Sequence, residues 1–96
     1  MLSYLLLMRS TPEGMRKISD IGDRYDSFRK TLKKEGGRLI GAWALVGEYD
    51  YAALVEVPSE KNLVRLSLSV GQRGTSRVES HRAIPMEEFV EIARKL

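Results

Sequence analysis

The sequence predicts an α+β domain in which helices cover one face of a four-stranded antiparallel sheet. Three observations carry that expectation. At 96 residues the chain can hold one hydrophobic core and no more. Two apolar runs flank Gly47-Glu48 in the pattern of a hairpin. On either side of that hairpin lies a stretch with apolar residues at helical spacing, and each is followed by a run suited to a strand.

The elements read in order as follows. Leu2 to Met8 is an apolar run with no basic segment before it and Arg9-Ser10-Thr11-Pro12 directly after it, so it reads as a buried strand rather than a leader. Thr11 as N-cap, Pro12 at the first helical position and Glu13 in the first turn open a helix. Its stripe of Met15, Ile18, Ile21, Tyr25, Phe28 and Leu32 predicts one long helix over 12–35, closed by Gly36 and Gly37. With the hairpin turn centred on 47–48, paired residues sum to 95, so Trp43 faces Ala52. Parity then puts Ile40, Ala42, Ala44, Val46, Tyr49, Tyr51, Ala53, Val55 and Val57 on the helix-covered face. Leu39, Gly41, Trp43, Leu45, Asp50, Ala52, Leu54 and Glu56 fall on the other. Ser59 caps a second helix with Leu63, Leu66 and Val70 inward, residues 75–84 form a fourth strand, and Pro85 starts a last helix whose Phe89, Ile92, Ala93 and Leu96 are expected to face inward.

Strand, helix, strand, strand, helix, strand, with right-handed crossovers, is the ferredoxin-like βαββαβ arrangement with spatial strand order 4-1-3-2, here with an additional C-terminal helix. The uncovered face, with Trp43, Leu39, Leu45 and Leu54, is too apolar for bare solvent. Packing it against a second copy makes a homodimer or larger homo-oligomer of the dimeric α/β barrel type. Small size points the same way, because a short chain buries a smaller share of its surface.

Composition narrows the function classes. There is no cysteine and one histidine, so neither a cysteine zinc site, thiol chemistry nor an all-protein metal site is expected, and a reducing, cytoplasmic setting fits. No run approaches the ~18 apolar residues of a membrane span. The net charge is +3, but the basic residues between Arg16 and Lys34 are interleaved with Asp20, Asp23 and Asp26 and carry no nucleic-acid motif, which reads as a solvated helix face. Neither nucleic acid nor membrane is expected as a partner.

Gly47-Glu48-Tyr49-Asp50 resembles the Gly-x-Tyr-Asp signature of the GYD domain family. Tyr4, Thr11, Glu13, Gly14, Ile18, Asp20, Arg24, Gly36-Gly37, Glu56, Pro58, Gly71, Gly74, Arg77, Arg82 and Ala83 extend the resemblance over the whole chain, read as a single domain of residues 1–96. His81 departs from the family pattern, which more often has an apolar residue there. The resemblance implies a ferredoxin-like fold assembled as a dimeric barrel, and no assigned reaction. A fainter similarity links residues 47–57 to the ligand-binding domains of leucine-responsive transcription regulators.

Candidate ligand-binding residues are Trp43, Tyr49, Asp50, Arg77 and His81. Asp50 beside Arg77 or Arg9 would form an anion-recognising or acid/base pair; alternatively it closes the hairpin by accepting backbone hydrogen bonds. Trp43 would stack a planar ligand or fill a dimer core, and His81 would act as a base or sit at the surface. No phosphate-binding loop, nucleophile elbow or dinucleotide fingerprint is present, and no cofactor is expected. Two function classes stand: an oligomeric small-molecule-binding or regulatory module, and a cofactor-free enzyme of the monooxygenase or isomerase kind.

Overall fold

A computed structural model describes all 96 residues. It contains strand β1 (Leu2–Ser10), helix α1 (Pro12–Arg16), a 3₁₀ turn (Ile18–Asp20), helix α2 (Ile21–Lys34), strands β2 (Arg38–Ala44) and β3 (Tyr51–Val57), helix α3 (Glu60–Gln72), strand β4 (Ser76–Ala83) and helix α4 (Met86–Arg94). The four strands form one antiparallel sheet in the order β2-β3-β1-β4, the ferredoxin-like order expected.

One sheet face and the helices build the core. Tyr4, Leu6 and Met8 of β1 alternate inward, as do Ala53, Val55 and Val57 of β3, and Phe28, Leu32, Leu63, Leu66 and Val70 pack on them from α2 and α3. Burying side chains as completely as Leu6, Leu32, Leu66, Val55 and Val57 is worth about 1.5–3 kcal/mol each, so this face carries most of the protomer's stability. Two cap signals operate as read, while Ser59 stands at the N-cap of α3 with its hydroxyl donating to Asn62 Oδ1 at 2.7 Å and capping no backbone N–H. Thr11 Oγ1 accepts from Gly14 N at 3.1 Å, and α2 ends with Gly36 at φ 76° and Gly37 N donating to Leu32 O at 2.9 Å.

Three expectations are corrected. The first concerns the single helix over 12–35, which is broken at Lys17 (φ −110°, ψ 29°) into α1 and α2. The cause is a staple: Thr11 N donates to Thr75 O at 3.0 Å and Thr11 Oγ1 to Gly74 O at 2.6 Å, while Gly14 lies so close that an added Cβ would sit 2.1 Å from Thr75 O. Held against the start of β4, α1 cannot run collinear with α2. Met15, Ile18, Ile21 and Tyr25 therefore stand off the core, and each remains exposed.

The second correction is in β2. Pairing follows the sum-to-95 register from Gly41 to Ala44, but a bulge between Leu39 and Gly41 shifts it by one residue. Leu39 consequently packs against the core and Ile40 is exposed, the reverse of the parity expectation. The third is α4, none of whose residues is buried. Phe89 and Ile92 are 52% and 56% exposed, so the stripe expected to face inward has no partner within the protomer.

Candidate functional site

The strand registers lay out the uncovered sheet face as a grid. Trp43, Ala52, Leu7 and Glu79 lie in one row across β2, β3, β1 and β4, and Gly41, Leu54, Leu5 and His81 in the next. Its β2-β3-β1 part is thus apolar, whereas β4 presents Arg77, Glu79 and His81. Trp43 is 54% exposed and its ring folds back over Gly41, where a Cβ would lie 2.7 Å from the indole. Only glycine admits the ring there.

At the rim, the hairpin loop meets β1 and β4. Arg9 Nη2 pairs with Glu48 Oε1 at 2.6 Å, and its guanidinium lies over the Tyr49 ring, 4.6 Å from the centroid. The Tyr49 hydroxyl donates to Glu79 Oε2 at 2.6 Å, and His81 Nε2 lies 3.3 Å from Glu79 Oε1. The hydrogen bond to Glu79 is the leading reason that the Tyr49 pKa is raised, and the same bond leads in lowering that of Glu79. Tyr49 and His81 are thereby joined through Glu79, which shares its strand face with His81, so Tyr49 reaches the uncovered side and not the helix-covered one that strand parity predicts. Asp50 sits apart from this chain. Its Oδ2 accepts from Ser10 N at 2.8 Å, its own N donates to Met8 O, and it forms an ion pair with neither Arg9 nor Arg77. Arg77 is paired across the strands with Arg9 and has no carboxylate partner. Trp43 stands two strands away from Glu79's neighbour Leu7, so the five sequence candidates do not converge on one pocket.

A cavity of about 360 Å³, bordered by Trp43 alone of those five candidates, opens on the helix-covered face, where the break at Lys17 has lifted the start of α2 off the sheet. Met8, Ala42, Tyr51 and Ala53 form its floor and Ile21, Tyr25 and Phe28 its roof. The alanines leave the room: larger side chains at 42 and 53 would fill it. Arg24, Arg73, Thr75 and Ser76 add polar groups to the lining. Arg24 Nη2 donates to Gly14 O at 3.1 Å and Lys17 O at 3.3 Å, satisfying carbonyls released by the helix break. Its Nε and Nη1 are buried with no partner. A signal for Arg24 was present in the sequence: it stands three residues after Ile21 and four before Phe28, a cation set into an apolar stripe.

With this geometry established, comparison with known proteins places the chain. The profile of the GYD domain family matches residues 4–93. A Thermus thermophilus protein described as "Glutamine synthetase and cystathionine beta-lyase binding protein" is 23% identical over 91 residues, covering 94% of this chain and 96% of that protein. Among solved structures, the Mycobacterium tuberculosis leucine response regulatory protein is similar with a TM-score of 0.56 at 19% identity. The match covers 86% of this chain, which spans 50% of that regulator. A hypothetical protein from Pyrococcus horikoshii gives 0.52 at 22% identity, over 88% of this chain and 90% of that one. At these identities the structural likenesses establish the fold alone. No helix is long and apolar enough to cross a membrane.

Proposed function

The chain belongs to the GYD domain family, and from that premise we propose that it is a homo-oligomeric small-molecule-binding module whose ligand site is the cavity beneath α2. One observation carries this reading: the cavity is apolar in floor and roof, bordered by a few polar groups, and lacks a residue able to move a proton near neutrality. Its lining contains arginine, tyrosine, serine and threonine but no Asp, Glu, His, Lys or Cys. Arginine stays protonated and tyrosine ionises near pH 10, so the lining is equipped to hold a ligand rather than to exchange protons with it. The acid/base groups that an enzyme would need lie on the other sheet face, Glu79 and His81 exposed and Tyr49 half-buried. A relative named for binding two enzymes fits a binding rather than a catalytic role, with proteins in place of a small molecule.

Assembly is the second half of the proposal. Leu5, Leu7, Trp43 and Leu54 form a contiguous apolar surface on the uncovered sheet face, and a second protomer packed there would remove it from water. The unpartnered stripe of α4 offers further apolar area to the same assembly.

A thermal-shift screen of small metabolite-like compounds tests the binding half. A ligand present at about 100 times its dissociation constant adds about 2.7 kcal/mol. Compounds that raise the unfolding temperature are expected, and their effect should be lost in Ala42→Leu, which fills the cavity. Hits equally effective on Ala42→Leu would place binding elsewhere and overturn the proposal.

A further inference from the structure

We infer that the ligand of the α2 cavity is a carboxylate with a compact apolar body, its anionic end held by Arg24; the inference rests on the cavity being a ligand site. The argument begins with an unmatched charge. A guanidinium carries five N–H donors and cannot shed its proton in a protein. Arg24 uses only Nη2, on the carbonyls of Gly14 and Lys17, and both acceptors are neutral. Nε and Nη1 hydrogen-bond to nothing and are shut off from solvent, so an anion in the cavity reaches them once the guanidinium turns toward it. Burying unsatisfied donors of a charged group costs more than burying neutral ones, and an anion supplied from outside offsets that cost.

The second observation is the charge balance of the lining. Arg73, the residue that follows α3, borders the same cavity; its Nη2 donates to Thr31 Oγ1 at 3.3 Å, and it too has no ion-pair partner. Asp20 of the 3₁₀ turn and Asp23 and Asp26 of α2 are exposed and pair with neither arginine. Two guanidinium groups without a carboxylate between them make the cavity electrically complementary to an anion.

The rest of the lining fixes what is attached to that anion. Phe28, Tyr25, Ala53 and Met8 offer hydrocarbon and aromatic surface, which a sugar or a polyphosphate would leave in poor contact. About 360 Å³ accommodates a single ring or a short chain. A monocarboxylate ending in such a group satisfies both ends of the cavity.

Matched pairs test this directly: 3-phenylpropionate against 3-phenylpropanamide, and octanoate against octanamide, titrated calorimetrically into the wild-type protein. Each acid is expected to bind at least tenfold more tightly than its amide. Arg24→Met should bring the ratio close to one; if that variant is too unstable to titrate, Arg24→Lys, which keeps the charge but loses the planar set of donors, should lower it at least fivefold. Acid and amide binding equally well would overturn the carboxylate inference and leave the cavity standing as a ligand site. An acid preference that survives Arg24 replacement would overturn the role of Arg24. Failure of all four compounds to bind would overturn the inference, while the broader screen with Ala42→Leu would still decide the cavity's role independently.

Discussion

Asp50 and Ser10 are joined by a hydrogen bond of 2.8 Å from the Ser10 backbone N–H to Asp50 Oδ2, so the signature aspartate ties the end of β1 to the start of β3. Its own backbone N–H bonds to Met8 O and its carbonyl accepts from Leu45 N, placing it at the meeting point of three strands. A carboxylate accepting from a partly buried amide is worth about 1–2 kcal/mol. Asp50→Ala should cost that amount in chemical denaturation, and Asp50→Asn less, since its amide oxygen can still accept.

Gly14 and Gly22 make a matched comparison. A Cβ at Gly14 would sit 2.1 Å from Thr75 O, whereas one at Gly22 would meet nothing within 4 Å. Gly14→Ala should therefore destabilise by about 1–3 kcal/mol by forcing α1 off β4. Gly22→Ala should stabilise by up to about 1 kcal/mol through helix propensity. Denaturation midpoints of the two variants report opposite signs if α1 is stapled as described.

Assembly through the uncovered face predicts that the wild type sediments as a dimer or larger species at micromolar concentration, and that Leu54→Glu sediments as a monomer. Trp43, the single tryptophan, supplies an optical check. Its emission should lie to the blue in the assembled protein and move to the red in Leu54→Glu. A wild type that stays monomeric would remove the face-to-face arrangement.

The Tyr49–Glu79 bond has a defined pH window. The Tyr49 pKa is raised above 10.0, chiefly by the hydrogen bond to Glu79, so its stabilisation is complete below pH 10.0 and is lost as pH rises through the raised value. Glu79 is lowered below 4.5, chiefly by the same bond, so its share is complete above pH 4.5 and is lost as pH falls through the lowered value. Tyrosinate absorbance should show one of the four tyrosines ionising late, and Glu79→Gln should bring that step earlier. Identical titrations of the two proteins would contradict the bond.

Much of this architecture was legible because the signals were local. Thr11-Pro12, Gly36-Gly37 and the Leu63, Leu66, Val70 stripe act within one or two turns, and each operates as its chemistry requires. What escaped was set by tertiary contacts. Apolar periodicity runs unbroken through Lys17, and only the docking of Gly14 against Thr75 forces the break. The bulge beside Ile40 is marked only by Gly41, a glycine inside a strand run, which regular alternation passes over. The stripe of α4 reveals an apolar face but not what covers it. The cavity followed from the helix break, so Arg24 was readable only as a charge out of place in its stripe.

The measurement that tests the account most directly is a methyl and aromatic NMR titration of the wild-type protein with the strongest compound from the thermal-shift screen. Ligand held beneath α2 predicts saturable shifts at the methyls of Ala42, Ala53 and Val70 and at the rings of Tyr25 and Phe28, which share the cavity. Shifts confined instead to Tyr49, Glu79 and His81, or to Leu5 and Leu54 on the opposite face, would contradict it.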